Sequence, residues 1–209
     1  VDDITLTIQK GHTMGVVGES GCGKSTLGRT IIRLQDPTAG QILLDGEDIT
    51  NAKGKDLINV REKMQIIFQD PYSSLNPRMA LYDIVKEPIL LSKRYSKAEV
   101  EDRTDQLMEI VGSEERLRMS YPHELDGGRR QRVCIARAIA LNPDFILCDE
   151  PVSALDVSIQ AQVLNLLMDL QEQFQLTYMF VTHDLSVVRH ISDDISVMYL
   201  GQLVETCSS

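Results

Sequence analysis

The stretch Gly18-Glu19-Ser20-Gly21-Cys22-Gly23-Lys24-Ser25-Thr26 follows a short apolar run, Met14 to Val17, and leads into a segment of helical character. It has the form G-x-x-x-x-G-K-[ST]. Glycines let the backbone bend so that successive N–H groups point inward at a phosphate, and the N-terminus of the following helix adds partial positive charge. Lys24 reaches the β- and γ-phosphates as a point charge, and the Ser25 hydroxyl is placed to ligate Mg²⁺. With a strand before it and a helix after it, the run reads as a phosphate-binding loop rather than an ordinary glycine-rich turn. Gly18 through Thr26 are therefore the candidate contacts of a nucleoside triphosphate.

A loop of this kind does not say what the nucleotide drives. The second landmark is Phe145-Ile146-Leu147-Cys148-Asp149-Glu150, an apolar run ending in two acids. A buried parallel strand here ends in carboxylates at its C-terminal edge, where α/β sheets place ligands. Asp149 is positioned to hold Mg²⁺, directly or through water, which leaves Glu150 to orient and deprotonate an attacking water. Standing alone, such a strand end is often a satisfied turn. Beside a phosphate loop it points to hydrolysis.

Composition bounds the alternatives. A chain of 209 residues can bury a sizeable core as one α/β domain with an inserted subdomain. Apolar residues make up 43%, but no stretch approaches the ~18 consecutive apolar residues of a membrane span, so the chain itself reads as soluble. No charged-then-apolar leader precedes the first strand, so secretion is not expected. The chain opens at Val1 inside a strand-like run without an initiator Met and reads as a piece truncated at both ends. Cys22, Cys134, Cys148 and Cys207 show no metal-type pairing and read as reduced thiols. A net charge of −10 argues against a nucleic-acid partner, which needs clustered Lys and Arg. It does not argue against ATP, which local dipoles and one lysine can hold.

Strand-like runs fall at Ile4–Ile8, Met14–Val17, Gln41–Leu44, Gln65–Phe68, Phe145–Cys148, Thr177–Val181 and Ile195–Leu200, several of them followed by helical stretches. That alternation predicts a largely parallel sheet wrapped by helices. Between Asp70 and about Leu141 the strand signals stop, and apolar residues recur at helical spacing: Val100, Leu107, Met108 and Val111, then Val133, Ala136, Ile139 and Ala140. The expected organisation is an α/β core of residues 1–69 and 142–209 with a helical subdomain, 70–141, inserted into it.

These residues together resemble the nucleotide-binding domain of ABC transporters over essentially the whole chain. The phosphate loop and Asp149-Glu150 match Walker A and Walker B with the catalytic Glu. Gln69 matches the Q-loop, which in the family touches Mg²⁺ and signals to the membrane subunits. Ser153-Ala154-Leu155-Asp156 matches the D-loop, and His183 matches the switch histidine that contacts the γ-phosphate. Leu125-Asp126-Gly127-Gly128-Arg129-Arg130-Gln131-Arg132 sits where the signature L-S-G-G-Q-x-Q-R belongs, so Asp126, Gly127, Gly128 and Arg129 are the residues expected to face the partner's ATP. The resemblance implies a P-loop NTPase core with N-terminal antiparallel β elements and an inserted helical subdomain. It implies ATP and Mg²⁺ as cofactors, with Lys24, Gln69, Glu150 and His183 as catalytic residues and Ser25, Gln69 and Asp149 around the metal.

Phe68-Gln69-Asp70-Pro71-Tyr72-Ser73-Ser74-Leu75-Asn76-Pro77-Arg78-Met79 and Pro151 to Gln162 are similar to the ATPases of bacterial oligopeptide, dipeptide and nickel importers. Such ATPases pair head to tail, as identical or different chains, at the cytoplasmic face of the membrane. They sit beneath two permease subunits fed by an external binding protein. Peptides are the expected cargo, and Tyr72–Met79 the segment facing the permease.

Two departures matter. The family's adenine-stacking aromatic lies upstream of Walker A, ahead of Val1. In the signature, Asp126 stands for the usual Ser and Arg129 for the usual Gln. Asp caps a helix as well as Ser does, but an ionised Asp cannot donate a hydrogen bond to a phosphate. Two readings stay open: Arg129 or Arg130 neutralises the carboxylate, or the site completed by this segment is the slower of two unequal sites. Two further function classes are a nucleotide-dependent dimerisation switch and an ABC ATPase acting on nucleic acid. The second would show a coiled-coil or zinc insert, or a tandem ATPase unit, and the sequence displays none.

Overall fold

Unbroken runs of apolar residues with no polar face can only be satisfied by burial on both sides, and such runs build the centre of the sheet. The structure, a computed structural model, describes residues 1–112 and 115–209. In chain order its elements are β1 (Thr13–Gly18), α1 (Lys24–Ile31), β2 (Leu43–Leu44), β3 (Glu47–Asp48), α2 (Gly54–Lys63), β4 (Met64–Ile67), α3 (Pro71–Ser74), α4 (Leu81–Ser92), α5 (Lys97–Ile110), α6 (Gly127–Ile139), β5 (Phe145–Asp149), α7 (Val157–Phe174), β6 (Thr177–Thr182), α8 (Leu185–Ile191), β7 (Asp194–Tyr199) and β8 (Gln202–Ser208). They divide into two compact units, one of residues 1–66, 144–150 and 170–209, the other of residues 67–143 and 151–169.

The first unit is built on a six-stranded sheet of order β4-β5-β6-β1-β7-β8. β5, β6, β1 and β7 run parallel, and β8 returns antiparallel to β7. Every residue of β5 and β6 is buried, as the apolar runs require. Met14, Val16, Leu27, Leu147, Met179 and Val181 are among the side chains that fill its main core. β2 and β3 form a separate antiparallel pair.

Two strand expectations need correction. Ile4–Ile8 carries no strand. Its alternation is real, because Ile4, Leu6 and Ile8 pack partly buried against the core, but packing satisfies the pattern and no ladder forms. Conversely, β8 lies beyond the runs recognised in the sequence. Its residues are almost all exposed, so no apolar signal marks it. The local clue is the turn Leu200-Gly201, whose φ values of 45° and 86° are both positive, as a two-residue hairpin turn requires.

The second unit is helical. α5 starts at a capping box in which Ser96 Oγ accepts from Glu99 N–H while Glu99 Oε2 accepts from Ser96 N–H. Buried Leu81, Ile84, Val85 and Ile89 on α4, Val100, Leu107 and Met108 on α5, and Val133, Ala136 and Ile139 on α6 have the spacing of apolar helix faces. α7 gives its first turns to this unit and its last turn to the other.

Candidate functional site

In the first unit the C-terminal ends of three neighbouring strands meet at one edge of the sheet. Register sets Asp149 of β5 beside Val181 of β6, and Thr182 of β6 beside Val17 of β1. β1 then runs into the loop 19–23. Gly21 and Gly23 turn the backbone at φ +80° and +107°, a region that L side chains rarely enter. Gly23 supplies the N-cap of α1 without a side-chain cap, and the first turn of α1 has no acidic residue. The helix's positive end thus carries no acid within its own first turn. The loop is braced by the β7–β8 turn, where Gly201 N–H donates to Cys22 O at 2.9 Å.

Lys24 is only 5% exposed. Its Nζ donates to Gly18 O at 2.7 Å and Glu19 O at 2.9 Å. Both carbonyls are neutral and Cys22 Sγ lies 3.9 Å away, so a buried ammonium lies inside the loop with no Asp or Glu carboxylate among its hydrogen-bond partners. Ser25 Oγ donates to Asp149 Oδ1 at 2.7 Å, and Arg29 pairs with Asp149 Oδ2 at 3.1 Å. Asp149 is 3% exposed, and both of its oxygens have partners.

Glu150 leaves β5 in a left-handed conformation, φ +50°. For a residue with a Cβ this costs roughly 1–2 kcal/mol. The bend is held by Glu150 N–H donating to Val181 O at 2.9 Å. It places Glu150 Oε1 3.3 Å from Nδ1 of His183, the residue after β6; the histidine side chain is 61% exposed and the carboxylate 19%. A carboxylate and an imidazole in contact at a strand-end edge can share and pass a proton. Asp149, Glu150 and His183 thus lie on the ends of β5 and β6 or immediately after them, and Lys24 and Ser25 open the helix that follows the loop after β1.

The second unit carries the remaining expected residues. Gln69 Nε2 lies 3.4 Å from Ser153 Oγ. Asp126 is the N-cap of α6, its Oδ1 accepting from Arg129 N–H at 2.8 Å and its Oδ2 lying 3.5 Å from Arg129 Nε. Gly127 and Gly128 open α6 against the start of α7: a Cβ on Gly128 would stand 2.5 Å from Ile159 Cγ2, and one on Gly127 would stand 3.1 Å from Leu155 Cδ2. The turn holding Ser153, Ala154, Leu155 and Asp156 is pinned by Gln160, whose Nε2 donates to Val152 O and Leu155 O, each at 3.0 Å.

Sequence reasoning missed Arg29 and Gln160. Arg29 stands four residues after Ser25, one helical turn along the same face, and that spacing was its available signal. Gln160 has none, because its role depends on a turn folding back. Burial pushes the Cys134 thiol on α6 up to about 11. It pushes Cys148, beside Asp149, higher still. Neither is a nucleophile near neutral pH.

A sequence profile described as ABC transporter matches residues 1–153. The chain belongs to the ABC transporter family. It is 55% identical over 206 residues to the oligopeptide transport ATP-binding protein AppF of Bacillus subtilis, covering 98% of this chain and 63% of that protein. It is 47% identical over 205 residues to the dipeptide transport ATP-binding protein DppF of Escherichia coli, covering 98% and 61%. The chain therefore spans less than two thirds of the length of these relatives. Among solved structures, an ATP-binding cassette in a dimeric post-hydrolysis state bound to ADP and Pi superposes with a TM-score of 0.86 at 32% identity, covering 97% of this chain and 88% of that one. The fold is that of an ABC cassette, a mostly parallel α/β sheet flanked by helices. Among the described residues no helix is long and apolar enough to cross a membrane.

Proposed function

We propose that this chain is the ATP-binding and ATP-hydrolysing subunit of an ABC importer for oligopeptides or dipeptides. The observation that carries the reading is the convergence of Lys24, Ser25, Asp149, Glu150 and His183 on one edge of the sheet. The curated names of the relatives support peptides as cargo.

The residues present fit MgATP. A buried ammonium with only neutral partners and a helix N-terminus without its own acid match a polyphosphate. Among the described residues no three or more His, Cys, Asp or Glu side chains cluster as a metal site. A cation here would be a hard one held by Ser25, Asp149 and phosphate oxygens, which suits Mg²⁺ with its retained waters. Bound MgATP supplies the phosphoanhydride whose cleavage drives the cycle. Lys24 would hold phosphate oxygens, and Ser25 and Asp149 would hold the cation, which would supply charge neutralisation at the phosphoryl group. Glu150 accepts the proton of the attacking water, and His183 orients Glu150.

On the same reading Gln69 reports the γ-phosphate to the helical subdomain, 70–141. Asp126, Gly127, Gly128 and Arg129 meet the nucleotide of a second cassette, identical or different, and Ser153 to Asp156 line that contact. The pair works beneath two permease subunits and, through them, an external binding protein, at the cytoplasmic face of the membrane. Energy for transport comes from the differential affinity of ATP and ADP for the closed pair.

One observation favours a second reading, a dimerisation switch without turnover: the anion-binding end of α6 is occupied by the chain's own Asp126. The test is Mg²⁺-dependent ATP turnover by the full-length chain assembled with its permease and partner cassette. Turnover abolished by Glu150→Gln supports hydrolysis. ATP binding without turnover in the native protein overturns it in favour of the switch.

A further inference from the structure

One stripe of α6 holds the short segment that follows Gln69. The segment is α3, only four residues long, and a single helical turn is not stable by itself in water. Its own hydrogen bonds are local: Asp70 Oδ1 accepts from Tyr72 N–H at 2.9 Å, and Ser73 and Ser74 hydroxyls donate to Asp70 O and Pro71 O. What fixes it in place comes from α6. The Arg130 guanidinium lies over the Tyr72 ring, 5.2 Å from its centroid, while Arg130 Nε donates to Pro122 O at 2.7 Å. Cys134 Sγ is 3.2 Å from Ser74 Oγ and 3.8 Å from Pro71 O. Arg137 donates to Ser74 O at 3.1 Å and stands 3.6 Å from Glu87 on α4.

Positions 130, 134 and 137 are four and three residues apart, so they lie on one face of the helix. Each contacts a different part of residues 71–74. The other end of the same unit closes the circuit, because Gln69 Nε2 is near Ser153 Oγ while Gly127 and Gly128 touch the residues that follow Ser153. These contacts link α6 to the segment after Gln69 at both of its ends.

We propose that Arg130 is a positioning residue: through Tyr72 it fixes the segment after Gln69 to α6, so that a change of nucleotide sensed at Gln69 moves the Asp126 end of α6 as one piece. This rests on the ATP-driven pairing proposed above. Arg130 contacts Tyr72 and Pro122 within its own unit. It acts through Tyr72, and its loss impairs the coupled step while leaving nucleotide binding in place.

The test uses the full-length chain assembled with its permease and partner cassette, with ATP as the probe. Arg130→Gln is expected to lower kcat about five- to tenfold while KM for ATP stays within about twofold. Arg130→Lys, which keeps a cation over the ring, is expected to restore most of the loss. Tyr72→Leu, a change at a half-exposed ring that does not threaten folding, is expected to match Arg130→Gln, and the double variant to be no worse than the poorer single. Additive losses, failure of Lys to rescue, or native kcat in Tyr72→Leu would each overturn the proposal. Glu150→Gln in the same assembly separates the two ideas. If it leaves turnover intact, the hydrolytic reading fails; if it abolishes turnover and Arg130→Gln behaves as native, only the positioning role fails.

Discussion

Asp126 offers a test in which fold and function should part company. Its Oδ1 accepts from Arg129 N–H at 2.8 Å, satisfying one of the unpaired N–H groups at the start of α6. A Ser hydroxyl can accept the same bond, so Asp126→Ser should change stability by less than about 0.5 kcal/mol, whereas Asp126→Ala should lose about 1 kcal/mol. The pairing with Arg129 adds little, because the two side chains are 64% and 47% exposed. For a chain of this size a 1 kcal/mol loss lowers Tm by about 2–4 °C, readable by calorimetry. In the assembled transporter the order reverses. A Ser hydroxyl can donate to a phosphate and a carboxylate cannot, and one hydrogen bond to a charged group is worth about 1.5–3 kcal/mol, or about tenfold or more in rate if expressed at the transition state. Asp126→Ser should therefore keep Tm and raise steady-state turnover at the site it completes. Unchanged turnover would refute the idea that the carboxylate slows that site. A drop in Tm for Ser as large as for Ala would refute the capping argument.

Gly128→Ala places a Cβ 2.5 Å from Ile159 Cγ2; such overpacking costs about 1–3 kcal/mol, and Tm should fall, with Ile159→Ala in the same chain recovering part of the loss. Gln131 is fully buried, and among the described residues neither of its amide atoms has a hydrogen-bond partner, so Gln131→Met should raise Tm by a few degrees as a desolvation cost of about 1–3 kcal/mol is relieved; a fall in Tm would refute it. The Cys134 thiol is held at about 11 against an ordinary 9.0 by burial. The folded state keeps a proton that the unfolded state releases, so the thiol's contribution is fully present below pH 9 and is lost as pH rises through 11. Cys134→Ser should flatten the fall of urea-unfolding stability between pH 9 and 11, and an unchanged slope would contradict the assignment.

Much of the first unit was legible in the sequence because its chemistry is local. Gly18 to Thr26 is one contiguous segment, and Asp149 and Glu150 end an apolar run that has no choice but burial. His183 could be placed because it follows closely on Thr177–Val181, which reads as a strand. Arg29 was hidden because its partner is distant in sequence, and Glu150's left-handed bend because nothing local announces it. Ile4–Ile8 misled for the opposite reason: alternation reports one buried face, which packing without a ladder also provides. β8 was invisible because an exposed edge strand needs no apolar pattern, only a neighbour and a turn. The stripe of Arg130, Cys134 and Arg137 has helical spacing that any reader could note, yet its partner segment becomes known only once α3 is folded against it.

Lys24 carries a consequence for how tightly the cassette can hold anything. Its ammonium rests on the carbonyls of Gly18 and Glu19. A phosphate arriving there does not gain a new cation contact outright; it gains the difference between that contact and the ones surrendered. Each surrendered bond to a charged group is worth about 1.5–3 kcal/mol, which is one to two powers of ten in affinity withheld from the nucleotide. A loop that solvates its own lysine in this way has the lysine's place set by its own backbone as well as by any anion it binds. On the ATP-driven cycle proposed above, restraint of affinity is as much a property of the loop as affinity itself.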